Sequence, residues 1–87
     1  MIVQYLPKFK KQYKKLPQRF QEQFDERVRL FTIDPTHPKL RAHPLKGELA
    51  GYWSMNVNGD IRALYIMQGE TIIIFALIGS YSQLYGR

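Results

Sequence analysis

Seven apolar residues constrain this chain more than any other feature. Phe9, Tyr13, Leu16, Phe20, Phe24, Val28 and Phe31 recur at spacings of three or four through KFKKQYKKLPQRFQEQFDERVRLFTID. That period lays one apolar stripe along a helix, and the stripe must be buried against another layer. Pro17 interrupts it, because proline has no N–H for the helical ladder and its ring collides with the carbonyl four residues back. The reading is therefore two helices, Pro7 to Leu16 and Pro17 to Ile33, joined almost without a loop.

The partner layer is legible on either side of the helices. MIVQYL opens the chain with a β-branched and aromatic run, an expected strand at Ile2 to Tyr5. After the helices comes DPTHPKLRAHPLKGELAG, with three prolines and two glycines, the one long irregular piece. YWSMNVNGDIRALYIM then places two strand-like runs around Asn58-Gly59, a strong hairpin signal because both residues accept positive φ. A two-residue turn there pairs Val57 with Asp60 and Met55 with Arg62, so that Asp60 and Arg62 share a face; a longer turn alters that pairing. Gly69 and Glu70 turn the chain into a last strand, Thr71 to Ile78, apolar on both faces and so placed near the sheet centre. The expected architecture is α+β: an N-terminal strand, a two-helix hairpin, then three antiparallel strands. Together the strands form one four-stranded sheet with helices on one face, and a short turn ends the chain.

Composition narrows function mainly by exclusion. Eighty-seven residues suit a single domain spanning 1–87, and the absence of cysteine removes disulfides and thiolate-bound zinc. His37 and His43 lie six apart with no carboxylate at a usual ligand spacing, so no metal site is expected. There is no Gly-rich phosphate loop and no nucleophile elbow, so no cofactor is expected either. The N-terminus lacks the order of a signal peptide and the longest apolar run is too short for a membrane span, so a soluble cytoplasmic protein is expected.

Charge points the other way, toward a partner. Residues 1–46 hold eleven of the thirteen Lys and Arg against four Asp and Glu, while the remainder is slightly acidic. Such asymmetry suits a polyanion, nucleic acid first, although a solubilising surface has the same composition. Lys8, Lys11 and Lys15 on the first helix, with Arg41 and Lys46 in the long loop, are the candidate RNA-binding cations.

The candidates for chemistry are His43, Asn56, Asp60, Arg62, Tyr81 and Tyr85. Most have a plain alternative: His43 shapes its loop, Asp60 is a turn former, and the two tyrosines pack one helical turn against the sheet, just as Lys46 among the cations is ordinary surface charge. Arg62 is harder to explain structurally. It is the single basic residue between Lys46 and Arg87 and sits inside a strand between Ile61 and Ala63, so it needs a carboxylate or a phosphate to meet.

Taken in order, these pieces resemble a known family. HPLKGELAGYWSMNVNGDIRALYIM followed by IIIFALIGSYSQLYG resembles the RelE/ParE superfamily of bacterial toxins, nearest its RelE/StbE and YafQ-like branch. The resemblance rests on the His-Pro-Leu loop, the Gly-Tyr entry to the hairpin, the Arg-x-x-Tyr strand and the Gly-Ser-x-x-x-Leu-Tyr-Gly ending. It covers residues 40–87 by motif and the whole chain by order of elements. It implies the toxin of a type II toxin–antitoxin system, a metal-independent endoribonuclease that cuts mRNA on the ribosome through attack by the RNA's own 2′-hydroxyl. It also implies an acidic, partly helical cognate antitoxin and a toxin–antitoxin complex of higher order.

Carried over by position, His43 is the acid or base of the His-Pro-Leu loop, Asp60 the hairpin aspartate, Arg62 the phosphate clamp and Tyr85 the base-stacking aromatic. Asn56 and Tyr81 stand where YafQ-like members carry histidines. Asparagine transfers no proton at neutral pH, and a tyrosine suits general-acid duty or a hydrogen bond better than base work. Two alternatives follow from those departures: a ParE-like toxin that inhibits DNA gyrase without a nuclease site, and a catalytically weakened module that retains antitoxin binding.

Overall fold

The computed structural model describes residues 1–86. In order these form β1 (Ile2–Tyr5), α1 (Pro7–Lys14), α2 (Gln18–Ile33), β2 (His43–Pro44), β3 (Trp53–Asn56), β4 (Ile61–Gln68), β5 (Ile72–Ser80) and α3 (Tyr81–Tyr85). Short 3-10 turns at Pro38–Leu40 and Gly47–Leu49 bracket β2.

Pro17 acts as the sequence predicts, but from just outside the second helix. α1 stops at Lys14 and α2 starts at Gln18, with Pro17 as the residue before its first turn. The carbonyl of Tyr13 would receive the N–H that Pro17 lacks. Instead it accepts from the Leu16 N–H at 3.1 Å and from Gln21 Nε2 at 2.8 Å. The break thus costs no buried acceptor.

The sheet corrects the four-stranded expectation. It has five strands in the order β1-β5-β4-β3-β2. β1 runs parallel to β5, Ile2 opposite Ile72 through Tyr5 opposite Phe75, while the remaining pairs are antiparallel. The fifth strand comes from the segment read as wholly irregular: His43 and Pro44 pair with Ser54 and Trp53. β5 has neighbours on both sides, as its two apolar faces require.

The stripe on α1 and α2 buries Phe9, Phe24 and Phe31 against the sheet face that carries Met55, Ala63, Tyr65, Ile73 and Phe75. Phe24 sits at the centre, its ring 5.1 Å from Phe9 and 5.0 Å from Phe75. Burying each such ring contributes about 1.5–3 kcal/mol. α1 lies along the margin of β5 beyond the end of β1, where Gln12 Oε1 accepts from the otherwise unpaired Ile78 N–H at 2.9 Å.

Two irregularities aim the opposite face. A bulge at Ala76 separates the pairs Leu64–Leu77 and Tyr65–Phe75. The extra residue turns Ile78 into the core and Gly79 onto the reverse face. The hairpin loop is three residues, Asn58 to Asp60, with Val57 N–H donating to the Ile61 carbonyl at 2.9 Å. Neither Asn58 nor Gly59 has positive φ. The turn is made instead by Asn58 Oδ1, which accepts from the N–H groups of Asp60 and Ile61 at 2.9 and 2.8 Å. The register therefore shifts by one from the two-residue expectation: Asn56 lies opposite Arg62, and Met55 opposite Ala63. Asp60 is in the turn rather than on a strand face beside Arg62. The apolar side chain explains the choice, because this register buries Met55 completely.

Candidate functional site

Residues directly opposite each other in neighbouring strands project to the same face. On the face turned away from α1 and α2, one row reads His43, Ser54, Leu64, Leu77 and the next Asn56, Arg62, Gly79. α3 crosses this face. Leu84 and Gln83 lie where a side chain on Gly79 would point, and the Tyr85 hydroxyl donates to the buried Ser54 Oγ at 3.3 Å. The short helix that follows β5 therefore belongs to the reverse face, not to the helical layer.

α3 is fixed by its own first turn. Ser80 Oγ accepts from the Gln83 N–H at 3.2 Å, while Gln83 Oε1 accepts from the Ser80 N–H at 2.9 Å. This reciprocal capping satisfies two donors that a helix start leaves open. The helix holds Tyr81 and Tyr85 with ring centroids 4.5 Å apart, and Tyr81 is 54% exposed. The Tyr81 N–H donates to the Asp60 carbonyl at 3.2 Å, which ties the hairpin turn to the start of α3.

His43 presents a defined nitrogen. Its Nδ1 lies 2.9 Å from the Arg41 carbonyl, and a carbonyl only accepts, so Nδ1 carries the hydrogen. In the neutral ring Nε2 is then the proton acceptor. Arg41 turns its carbonyl into place by adopting φ of 46°, a left-handed conformation that costs a non-glycine residue about 1–2 kcal/mol.

Arg62 is half-buried, and its Nη1 donates to the carbonyls of Asn58 at 2.9 Å and Ile61 at 3.3 Å. Among the described residues no carboxylate forms an ion pair with it. The guanidinium is thus oriented by neutral groups and keeps its charge uncompensated.

The sequence candidates divide by position. His43, Asn56, Arg62 and Tyr85 share the reverse face, and Tyr81 and Asp60 meet at its edge through a backbone bond. Lys46 lines a cleft of about 630 Å³ together with Glu48, Leu49, Gln83, Leu84 and Tyr85. Lys8 and Lys11 on α1 and Lys15 at its C-cap are exposed, on the helical layer rather than on this face. Helical spacing sets Lys8 nearer than Lys11 to the flank of α1 that carries Gln12, the residue bonded to the Ile78 N–H. The exposed Arg41 contributes its carbonyl to His43. Ser54, Asn58 and Gln83 were not among the candidates; only the Ser-x-x-Gln cap had a sequence signature.

A family profile described as the bacterial toxin YafQ of type II toxin–antitoxin systems matches residues 1–86. The chain belongs to the YafQ toxin family. No curated protein matches it significantly in sequence. Among solved structures, YafQ from E. coli strain BL21(DE3) superposes with a TM-score of 0.82 at 22% identity, covering 97% of both chains. The toxin of the E. coli DinJ–YafQ toxin–antitoxin complex gives 0.80 at 22% identity, over 97% of this chain and 96% of that one. A YoeB/ParE toxin from Agrobacterium tumefaciens gives 0.77 at 21% identity, over 93% and 99%. These likenesses establish a RelE/ParE-type fold. Among the described residues no helix is long and apolar enough to cross a membrane.

Proposed function

We propose that this YafQ-family toxin is a metal-independent endoribonuclease that cuts mRNA on the ribosome. The observation that supports this most is that an uncompensated arginine, a histidine with a defined tautomer and Tyr85 lie on one sheet face, with Tyr81 at its edge. The scissile phosphate sits on Arg62, within reach of the Asn56 amide. His43 Nε2 takes the proton of the 2′-hydroxyl as its oxygen bonds to phosphorus. The bond from phosphorus to the 5′-oxygen breaks, the leaving oxygen takes a proton from the Tyr81 phenol, and a 2′,3′-cyclic phosphate remains. Arg62 stabilises the charge of the phosphorane, the part of such a reaction where fixed cations contribute most. Tyr85 stacks on a neighbouring base, while Lys8, Lys11, Lys15, Arg41 and Lys46 bind the flanking backbone.

Asn56 and Tyr81, which stand in place of two histidines, favour a second reading: a toxin of ParE type that acts on DNA gyrase. Expression of the wild type and of the Arg62→Ala and His43→Ala variants separates the two. Cleaved mRNA that is lost in both variants supports the nuclease. Double-strand DNA breaks with intact mRNA support the gyrase reading.

Regulation by a cognate antitoxin rests on the E. coli relative crystallised with DinJ. An apolar groove of about 360 Å³ between Tyr5, Phe9, Tyr13 and Phe24 is rimmed by Lys10, Lys14 and Asp25, and its apolar floor suits the anchor of an antitoxin segment whose acidic residues meet the two lysines.

A further inference from the structure

We infer that Asn58, held from the helical layer by Gln23, is the positioning residue of the candidate site. Every polar group of Asn58 is engaged. Its Oδ1 accepts from Asp60 and Ile61, its N–H donates to the Ile61 carbonyl at 3.3 Å, and its carbonyl accepts from Arg62 Nη1 at 2.9 Å. Its Nδ2 donates to Gln23 Oε1 on α2 at 2.8 Å. That last bond spans 35 residues of sequence and joins the hairpin tip to the opposite layer of the fold.

Asn58 therefore acts on the site in two directions. Through its carbonyl it fixes the guanidinium of Arg62 without neutralising it, so the remaining N–H groups stay available for an anion. Through the turn it sets the Asp60 carbonyl that receives the Tyr81 N–H, and so the start of α3. The loop's own bonds set its shape, but on a surface turn they leave its tilt relative to the helical layer free. The Gln23 amide removes that freedom by tying the loop to a helix whose Phe24 is in the core. An aspartate at position 58 would keep the turn acceptors but set a carboxylate beside Arg62 and compete with phosphate. The amide supplies the geometry without the charge.

This inference rests on the nuclease reading for its kinetic consequence but not for its geometric one, and the experiment uses both. Gln23→Leu removes the acceptor for Asn58 Nδ2 and leaves the whole sheet face untouched. Gln23→Glu keeps an acceptor there and serves as the conservative rescue. Cleavage of ribosome-bound mRNA is measured for both, alongside thermal unfolding and the side-chain NMR signals of Arg62 in the free protein. Gln23→Leu should lower kcat roughly tenfold to hundredfold with KM little changed, because misplacing a catalytic group by about an ångström has that effect. The Arg62 Nη signals should be resolved in the wild type, where Nη1 is held by two carbonyls, and averaged in Gln23→Leu, and Gln23→Glu should restore both. Unchanged Arg62 signals in Gln23→Leu overturn the inference, as does a kcat loss that simply follows a fall in Tm and is not rescued by glutamate. Should the wild type cut no RNA, the nuclease reading falls and the Arg62 signals alone decide this one.

Discussion

Gly79 offers the sharpest separation of function from stability. It lies opposite Arg62 on the site face, and its φ is not in the left-handed region. Backbone strain therefore does not oppose Gly79→Ala, and alanine in a strand gains about 0.5–1 kcal/mol over glycine. The obstacle is space: a Cβ would stand 2.8 Å from Gln83 Oε1 and 3.5 Å from Gln83 Cβ. The glutamine tip is flexible, but it is the acceptor for the Ser80 N–H at 2.9 Å. Moving it breaks half of the reciprocal cap, a loss of about 0.5–1.5 kcal/mol for one hydrogen bond. The two terms nearly cancel, so the unfolding free energy should change by less than about 1 kcal/mol. Activity should not be spared, because α3 carries Tyr81 and Tyr85; a roughly tenfold to hundredfold loss of cleavage is expected from a small displacement. Denaturant unfolding and ribosome cleavage assays on Gly79→Ala, Gln83→Ala and the double variant measure both terms. Since Gln83→Ala removes the obstructing atoms, the double variant should be no worse than Gln83→Ala alone. Additive losses in the double variant would refute the steric mechanism, since only coupled sites depart from additivity.

Other outcomes follow from the same geometry. Arg62→Ala should remove about 2–4 kcal/mol of transition-state stabilisation, read as a fall in kcat/KM on programmed ribosomes well below the unfolding temperature, since the lost bonds to Asn58 and Ile61 lower Tm as well. Tyr85→Phe should cost about 0.5–1.5 kcal/mol of stability through the lost bond to Ser54 and keep most of the cleavage, whereas Tyr85→Ala should lose cleavage as well; denaturation and kinetics on the pair check this. Burial first, and then the Asp25 carboxylate, push the Tyr13 phenol up to about 12, and burial pushes Tyr65 up to about 12. The folded state thus binds more protons than the unfolded chain above pH 10. Stability should be fully present below that value and decline as pH rises toward 12, with a shallower decline in Tyr13→Phe and Tyr65→Phe when unfolding is followed against pH.

The helical layer was legible because Phe9 through Phe31 repeat with one period and Pro17 breaks it at one place. Three other features were not. A four-residue β1 carries no signal of direction, so its parallel pairing emerges only once β3, β4 and β5 have fixed which way β5 runs. A two-residue β2 containing Pro44 is too short for any alternation, and it hid inside a loop rich in turn formers. Asn58-Gly59 fits a two-residue turn and a three-residue one equally well in sequence. Burial of Met55 decides between them, and with it whether Met55 or Asn56 faces Arg62. In the candidate site, the order of motifs singled out His43 and Tyr85, while their common face and the contact of Tyr85 with Ser54 needed three dimensions. Lys8, Lys11 and Lys15 were legible as charge, but their place on the helical layer rather than on the site face depends on how α1 packs against β5.

In the proposed reaction the RNA's own 2′-hydroxyl is the nucleophile, on a face organised by Arg62 and His43. Purified protein added to ribosomes carrying end-labelled mRNA, with or without a single 2′-deoxy substitution at the cut position, tests it most directly. The all-ribose message should be cut to a 2′,3′-cyclic phosphate end, and the message with the deoxy position should stay intact there. Equal cleavage of both messages, or none of either, would contradict it.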